Sequence, residues 1–244
     1  MGAVMHPWTM ATTVKEIERR LEEGRFTQHV VVNVAKAVSM QDDKKLKEAV
    51  SVCDIINFDG MGMVWAGRLL GREVPERVAG IDLYYALLKM AEERQWPVYL
   101  LGAREPVIVE VEKRIRALHP KLPIAGCHHG YFWEDEPAMV EAIRTSRAKL
   151  LFVAISSPRK ETFINRWREE LGVDFVMGVG GTFDVMAGVA RRAPVWMQNA
   201  GLEWFFRLLQ EPQRMWRRYL TTNARFLAWL MKELLLNRRG KGTV

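Results

Sequence analysis

Two periods of hydrophobicity share the chain. Short apolar runs bounded by Gly, Asn, Asp or Ser recur as QHVVVN (28–33), INFD (56–59), PVYLLG (97–102), LPIAG (122–126), KLLFVAISS (149–157) and VDFVMGVGG (173–181). Runs of that length and make-up read as buried strands. Between them apolar residues return at helical spacing, as in EPVIVEVEKRIRALH (105–119). Thr13 and Glu16 have capping-box spacing, which predicts a helix opening there and closing at Gly24. A helical stretch through DDKKLKEAV (42–50), a helix reaching Gly71 and another ending near Gln95 follow, with Arg77 in the loop VPERVAGIDL (74–83). Strands alternating with helices predict an α/β fold: a mostly parallel, Rossmann-like sheet with helices on both faces. Ligands of such sheets bind beyond the carboxyl ends of the strands. Asn33, Asp59, Gly102, Ser157 and the turn holding Gly178, Gly180 and Gly181 all fall at that edge.

Beyond Pro194 the alternation stops and only helical spacing remains. WMQNAGLEWFFRLLQ (196–210) is followed by Pro212, which suits the first turn of a further helix. There Met215, Tyr219, Phe226, Trp229, Leu230 and Leu234 form an apolar stripe, with Arg214, Arg217 and Arg218 on another face. The expected division is an α/β catalytic core over 1–195 and a helical, membrane-associating appendage over 196–244. Charge follows the same division. Of a formal +7, residues 191–244 hold nine Arg and two Lys against three Glu, so the first 190 residues are close to neutral. A basic tail suits an anionic membrane, a phosphorylated substrate or nucleic acid. Its arginines are interleaved with Trp204, Phe205, Phe206, Trp216 and Tyr219, a mixture that fits a membrane interface. No RNA-binding motif supports nucleic acid as the partner.

The 244 residues suffice for one sizeable domain with an appendage. Two cysteines, Cys53 and Cys127, imply a reduced, cytoplasmic protein. No signal-peptide pattern and no apolar run long enough to span a bilayer is found, so membrane attachment is expected to be peripheral.

Candidate chemistry narrows the reading. Asp59 closes a buried strand just before a helix; it is either that helix's cap or a base delivered to a ligand. GVGGTFD (178–184) places backbone N–H groups where phosphate or ribose could sit. Asp184 either accepts from ribose or uracil or pairs with Arg191 or Arg192. The glycines lack GxGxxG spacing, which disfavours a soluble nucleotide-binding oxidoreductase. His128 and His129, adjacent on a strand, point to opposite faces and do not suggest a metal. Asp-x-Asp is absent, and EDE (134–136) reads as a solvated helix start. No metal and no cofactor are expected. A noncatalytic membrane or RNA adaptor would leave the polar residues at the strand ends without a role.

NFDGMGMVWAGRLLG (57–71), PERVAGIDL (75–83), VYLLGA (98–103), GYF (130–132), SPRKETF (157–163), MGVGGTFDVMAG (177–188) and RRAPVWMQNAGLEWFFRLLQEPQRMWRRY (191–219) resemble, in order, the signatures of the WecG/TagA/CpsF family of bacterial glycosyltransferases. The resemblance implies inverting transfer of a sugar from a UDP-sugar to a polyprenyl-diphosphate-linked sugar at the inner membrane face, in synthesis of cell-surface polysaccharide. N-acetylmannosamine, its uronic acid and glucose are the donor sugars it allows. Asp59 matches the family's proposed general base and Arg77 an arginine proposed to hold donor phosphate. Asn33 matches an asparagine near the sugar. Arg207, Arg214 and Arg217 match arginines that the appendage supplies to the site. Lys160 stands where many members have Gln, as a candidate phosphate contact, and Val31 where many have Thr. Neither the donor sugar nor the acceptor glycan is named by these residues, and homo-oligomerisation stays open.

Overall fold

The computed structural model describes residues 4–240. Its centre is a six-stranded, all-parallel sheet of β1 (Thr27–Val32), β2 (Ile55–Phe58), β3 (Val98–Gly102), β4 (Ile124–His128), β5 (Leu150–Ala154) and β6 (Phe175–Gly178), in the order β2-β1-β6-β5-β3-β4. The α/β expectation is met. The inner strands β3, β5 and β6 are apolar on both faces, as a sheet covered on both sides requires, whereas β1 also buries Thr27, Gln28 and His29. Val98, Leu100, Leu150, Phe152, Phe175 and Met177 pack with α1 (Met10–Glu22), α5 (Gly80–Arg94), α6 (Glu105–Leu118) and α9 (Thr182–Met186). Their alternates Tyr99, Leu101, Leu151, Val153 and Val176 pack with α7 (Glu136–Thr145) and α8 (Arg159–Arg166). A third cluster joins Val30, Val32 and Ile56 to α2 (Val34–Asp42), α3 (Lys44–Ser51) and α4 (Met61–Leu69).

The first helix starts earlier than the capping-box spacing predicts. Thr9 takes the cap, accepting from Thr12 N at 3.0 Å. Thr13 is buried inside the helix, where its hydroxyl donates to Thr9 O and accepts from Asn57 Nδ2. Gly24 does lie at the helix end, at φ +62.

After β6 the chain forms α10 (Val195–Asn199), α11 (Glu203–Gln210) and α12 (Pro212–Gly240), helices only, with Pro212 opening the last. These helices lie against the body. Phe226 and Leu230 are buried in the third cluster, with Trp229 and Leu234 packed on it. Arg225 clamps Asp42 of α2 through two 2.6 Å hydrogen bonds. Much of the apolar stripe read from the sequence therefore faces protein. A second stripe, Trp216, Leu220, Leu227, Met231 and Leu235, is exposed; at 100° per residue it is rotated roughly a quarter turn from the first. No helix among the described residues is long and apolar enough to cross a membrane.

Candidate active site

β2, β1, β6 and β5 are adjacent parallel strands, so their carboxyl ends lie side by side, and Asp59 stands where β2 ends. Its backbone N–H donates to Val32 O at 3.0 Å, holding it beside the end of β1. The cap of α4 is Gly60, at φ +83, and no side chain caps that helix. The helix-cap reading of Asp59 thus fails. No described residue hydrogen-bonds its carboxylate. Burial, reinforced by the Glu203 charge, raises its pKa to about 6, against the pull of Arg207, Arg77 and Lys36. A carboxyl tuned close to neutral pH, with neighbouring cations but no fixed partner, has the properties of a general base.

One flank of Asp59 is a buried ionic cluster. Asn33 caps α2, its Oδ1 accepting from Lys36 N at 2.9 Å. Lys36 Nζ reaches Glu161 Oε1 at 2.9 Å, and Lys160 Nζ reaches the same oxygen at 2.7 Å. Ser157 accepts from Lys160 at 2.9 Å and donates to Glu161 at 2.7 Å. Lys160 is 6% exposed and Glu161 2%. Burial opposes the Glu161 charge, but the two ammonium groups win and hold its pKa near 2. Burial and the Lys36 charge lower Lys160 to about 8. Gly178 makes the cluster possible. A Cβ there would meet Lys160 Cε at 2.2 Å, so only glycine lets the lysine cross the end of β6.

The other flank joins the body to the appendage. Arg77, in the loop before α5, donates to Glu203 at the start of α11. Arg192, ahead of α10, holds Asp82 through 2.6 and 2.7 Å hydrogen bonds, and its Nε lies 3.7 Å from Glu203. Gly201, at φ +72, brings the turn before α11 onto α4; a Cβ there would meet Met61 Cβ at 2.7 Å. The docking puts Arg207 within electrostatic reach of Asp59.

Other candidates take simpler places. Gly102 ends β3 at φ +123, where a Cβ would strike Ala154 O at 2.5 Å; close strand approach explains the glycine. Gly180 adopts φ +54 and Gly181 caps α9. Asp184, on α9, is half-buried, and no described residue hydrogen-bonds its carboxylate. Of the two alternatives, pairing with Arg191 or Arg192 is not found among the described residues; Arg192 is bound to Asp82 and faces Glu203. The Arg217 guanidinium lies over the Trp216 ring, 5.2 Å from its centroid. The side chain of Arg214 lies outside the described residues. His129 lies just past the end of β4 and its ring centroid is 4.2 Å from that of His128, so the two do not point to opposite faces as expected; even so, no three His, Cys, Asp or Glu side chains gather as a metal site among the described residues. Asp135 caps α7, as a solvated helix start should. Lys36, Glu161, Asp82 and Glu203 are not among the residues that the sequence marks as candidates, and Arg192 is marked there only as a possible partner of Asp184. Lys36, one turn after Asn33, and Glu161, next to Lys160, carry a local signal.

The model of the WecG/TagA/CpsF glycosyl transferase family matches residues 1–240. The chain belongs to that family. It is also 33% identical, over 201 residues covering 82% of its length and 77% of the relative's, to an N-acetylglucosaminyldiphosphoundecaprenol N-acetyl-beta-D-mannosaminyltransferase of Bacillus spizizenii. The chain is accordingly a glycosyltransferase, and neither an oxidoreductase nor a noncatalytic adaptor. Family membership also matches the geometry, since a transferase that activates a hydroxyl needs a base at the ligand edge.

Proposed function

We propose that this glycosyltransferase moves a sugar of N-acetylmannosamine or glucose type from a UDP-sugar to a polyprenyl-diphosphate-linked sugar, with inversion. In this reading the acceptor hydroxyl oxygen attacks the anomeric carbon as its proton passes to the Asp59 carboxylate. The bond from that carbon to the UDP oxygen breaks, and the electron pair leaves with UDP. The negative charge developing there is met by Arg77, Arg207 and the other appendage arginines, Arg214 and Arg217, in place of a divalent metal. Asn33, Ser157, Lys160 and Asp184 contact sugar or nucleotide, and the turn from Gly178 through Gly181 receives the nucleotide end. The core over 1–195 supplies the base, and the appendage over 196–244 supplies cations and a membrane-facing surface.

The observation that carries the reading is Asp59, an unpartnered carboxyl among Arg77, Arg207 and Lys36 with its pKa near 6. A lipid-linked acceptor also fits the exposed apolar stripe of α12 beside the basic appendage. The test supplies a panel of UDP-sugars with a synthetic lipid-diphosphate-GlcNAc acceptor and excess EDTA. Labelled lipid should form from one of the UDP-sugars at close to the rate seen without EDTA. Loss of transfer in EDTA with rescue by magnesium or manganese would overturn the role given to the arginines.

A further inference from the structure

Glu203 reaches from the appendage to two guanidinium groups of the body. Its Oε2 accepts from Arg77 Nη1, while its Oε1 stands 3.7 Å from Arg192 Nε, beyond hydrogen-bond length. Arg192 Nε is buried and has no hydrogen-bond partner, although both terminal nitrogens of that guanidinium are engaged by Asp82. A buried N–H left unmet costs free energy. A carboxylate shift of roughly 1 Å would bring Oε1 into bonding range of it. Glu203 therefore has two seats, one taken on Arg77 and one open on Arg192. The five N–H donors of an arginine fork allow Arg192 to serve Asp82 and Glu203 together.

We infer that Glu203 is a positioning residue for the donor: its carboxylate holds Arg77 until an incoming nucleoside diphosphate takes that arginine, and then moves onto Arg192. The inference rests on the reading that Arg77 meets the donor diphosphate. Arg77 and Glu203 are largely shielded, with side chains 15% and 26% exposed. Charges in such a place are weakly screened, so a lone Arg77 would be costly and a diphosphate beside Glu203 would be repelled. Moving the carboxylate between the two arginines relieves both costs. It also keeps α11 joined to the body while the donor enters.

Calorimetric titration of the full chain with UDP tests the inference through Glu203→Gln, Arg192→Gln, the double variant of these two, and Arg77→Gln. Glu203→Gln removes the competitor for Arg77 and should bind UDP about fivefold tighter, the ratio expected for losing one modest competing ion pair. Arg192→Gln removes the second seat and should bind UDP about fivefold more weakly, an effect absent from the double variant. Arg77→Gln should lose most UDP affinity. The acidic limb of the kcat/KM profile should also move to lower pH in Glu203→Gln, because the Glu203 charge no longer raises the Asp59 pKa. A merely structural role for Glu203 would leave UDP binding no tighter than in wild type. If Glu203→Gln binds UDP no tighter than wild type while Arg77→Gln loses it, the handover is overturned and the reading of Arg77 stands. If Arg77→Gln binds UDP as wild type does, the reading of Arg77 itself falls.

Discussion

Asp59 is placed where folding alone would not choose a carboxylate. Its raised pKa means that ionisation is disfavoured in the folded state: the cost is absent below about pH 4, grows through about pH 6 and is complete above it. Asp59→Asn removes that cost, so the variant should melt above wild type at pH 8, and the gap should close towards pH 4. Calorimetric scans at the two pH values check this; equal melting temperatures at pH 8 would mean that Asp59 is stabilised by a partner. The catalytic consequence has the matching sign. A base acts when deprotonated, so kcat/KM should rise with pH through about 6. The residue stood out in the sequence because an acid directly after a buried apolar run is locally anomalous. Its electrostatic surroundings were only partly legible. Arg77 and Glu203 lie 126 positions apart, and Asp82 and Arg192 lie 110 apart. No local pattern joins such pairs.

At the scale of elements, continuous apolar runs read as strands because both faces of this sheet are covered, and all six strands are found, β4 two residues later than its run. Helix boundaries were less legible. Thr9 and Thr13 are both able to cap, and what separates them is Asn57 on β2, which buries Thr13 within the helix. The long C-terminal helix carries the same lesson. Spacing groups Phe226, Leu230 and Leu234 on one face, but lipid and protein are both apolar, so spacing does not say which one that face meets. The two stripes should now separate by experiment. Phe226→Ala, in the buried stripe, should cost about 3–5 kcal/mol of stability in chemical denaturation. Leu227→Ser with Met231→Ser, in the exposed stripe, should change stability by less than about 0.5 kcal/mol each. Sedimentation with anionic vesicles should nevertheless weaken in that double variant. Full sedimentation would assign the exposed stripe to another partner.

Across the whole molecule, the sheet is complete before α10 begins, yet the run of helices from α10 to α12 is not loosely attached. Arg225 on Asp42, Gly201 on Met61 and Glu203 on Arg77 fasten it at three places. Global stability also has a built-in acid sensitivity in His29. That ring is buried, with Nε2 2.9 Å from Asn57 Oδ1 and Nδ1 without a partner, and burial lowers its pKa to about 4. The unfolded chain takes up the proton near pH 6.5, before the folded one does. Stability from this group is therefore full above about pH 6.5 and is lost as pH falls to about 4, by on the order of 3 kcal/mol. Urea unfolding of wild type and His29→Gln across that range should give a flatter pH dependence for the variant; parallel curves would show that His29 is not the group responsible.

The most direct test of the account compares turnover and UDP affinity in Asp59→Asn, using the lipid-diphosphate acceptor and the UDP-sugar that wild type accepts. Loss of the base predicts turnover lower by about 10²–10⁴-fold with UDP binding retained. Near-native turnover in that folded, UDP-binding variant would contradict the account and remove Asp59 from the chemistry.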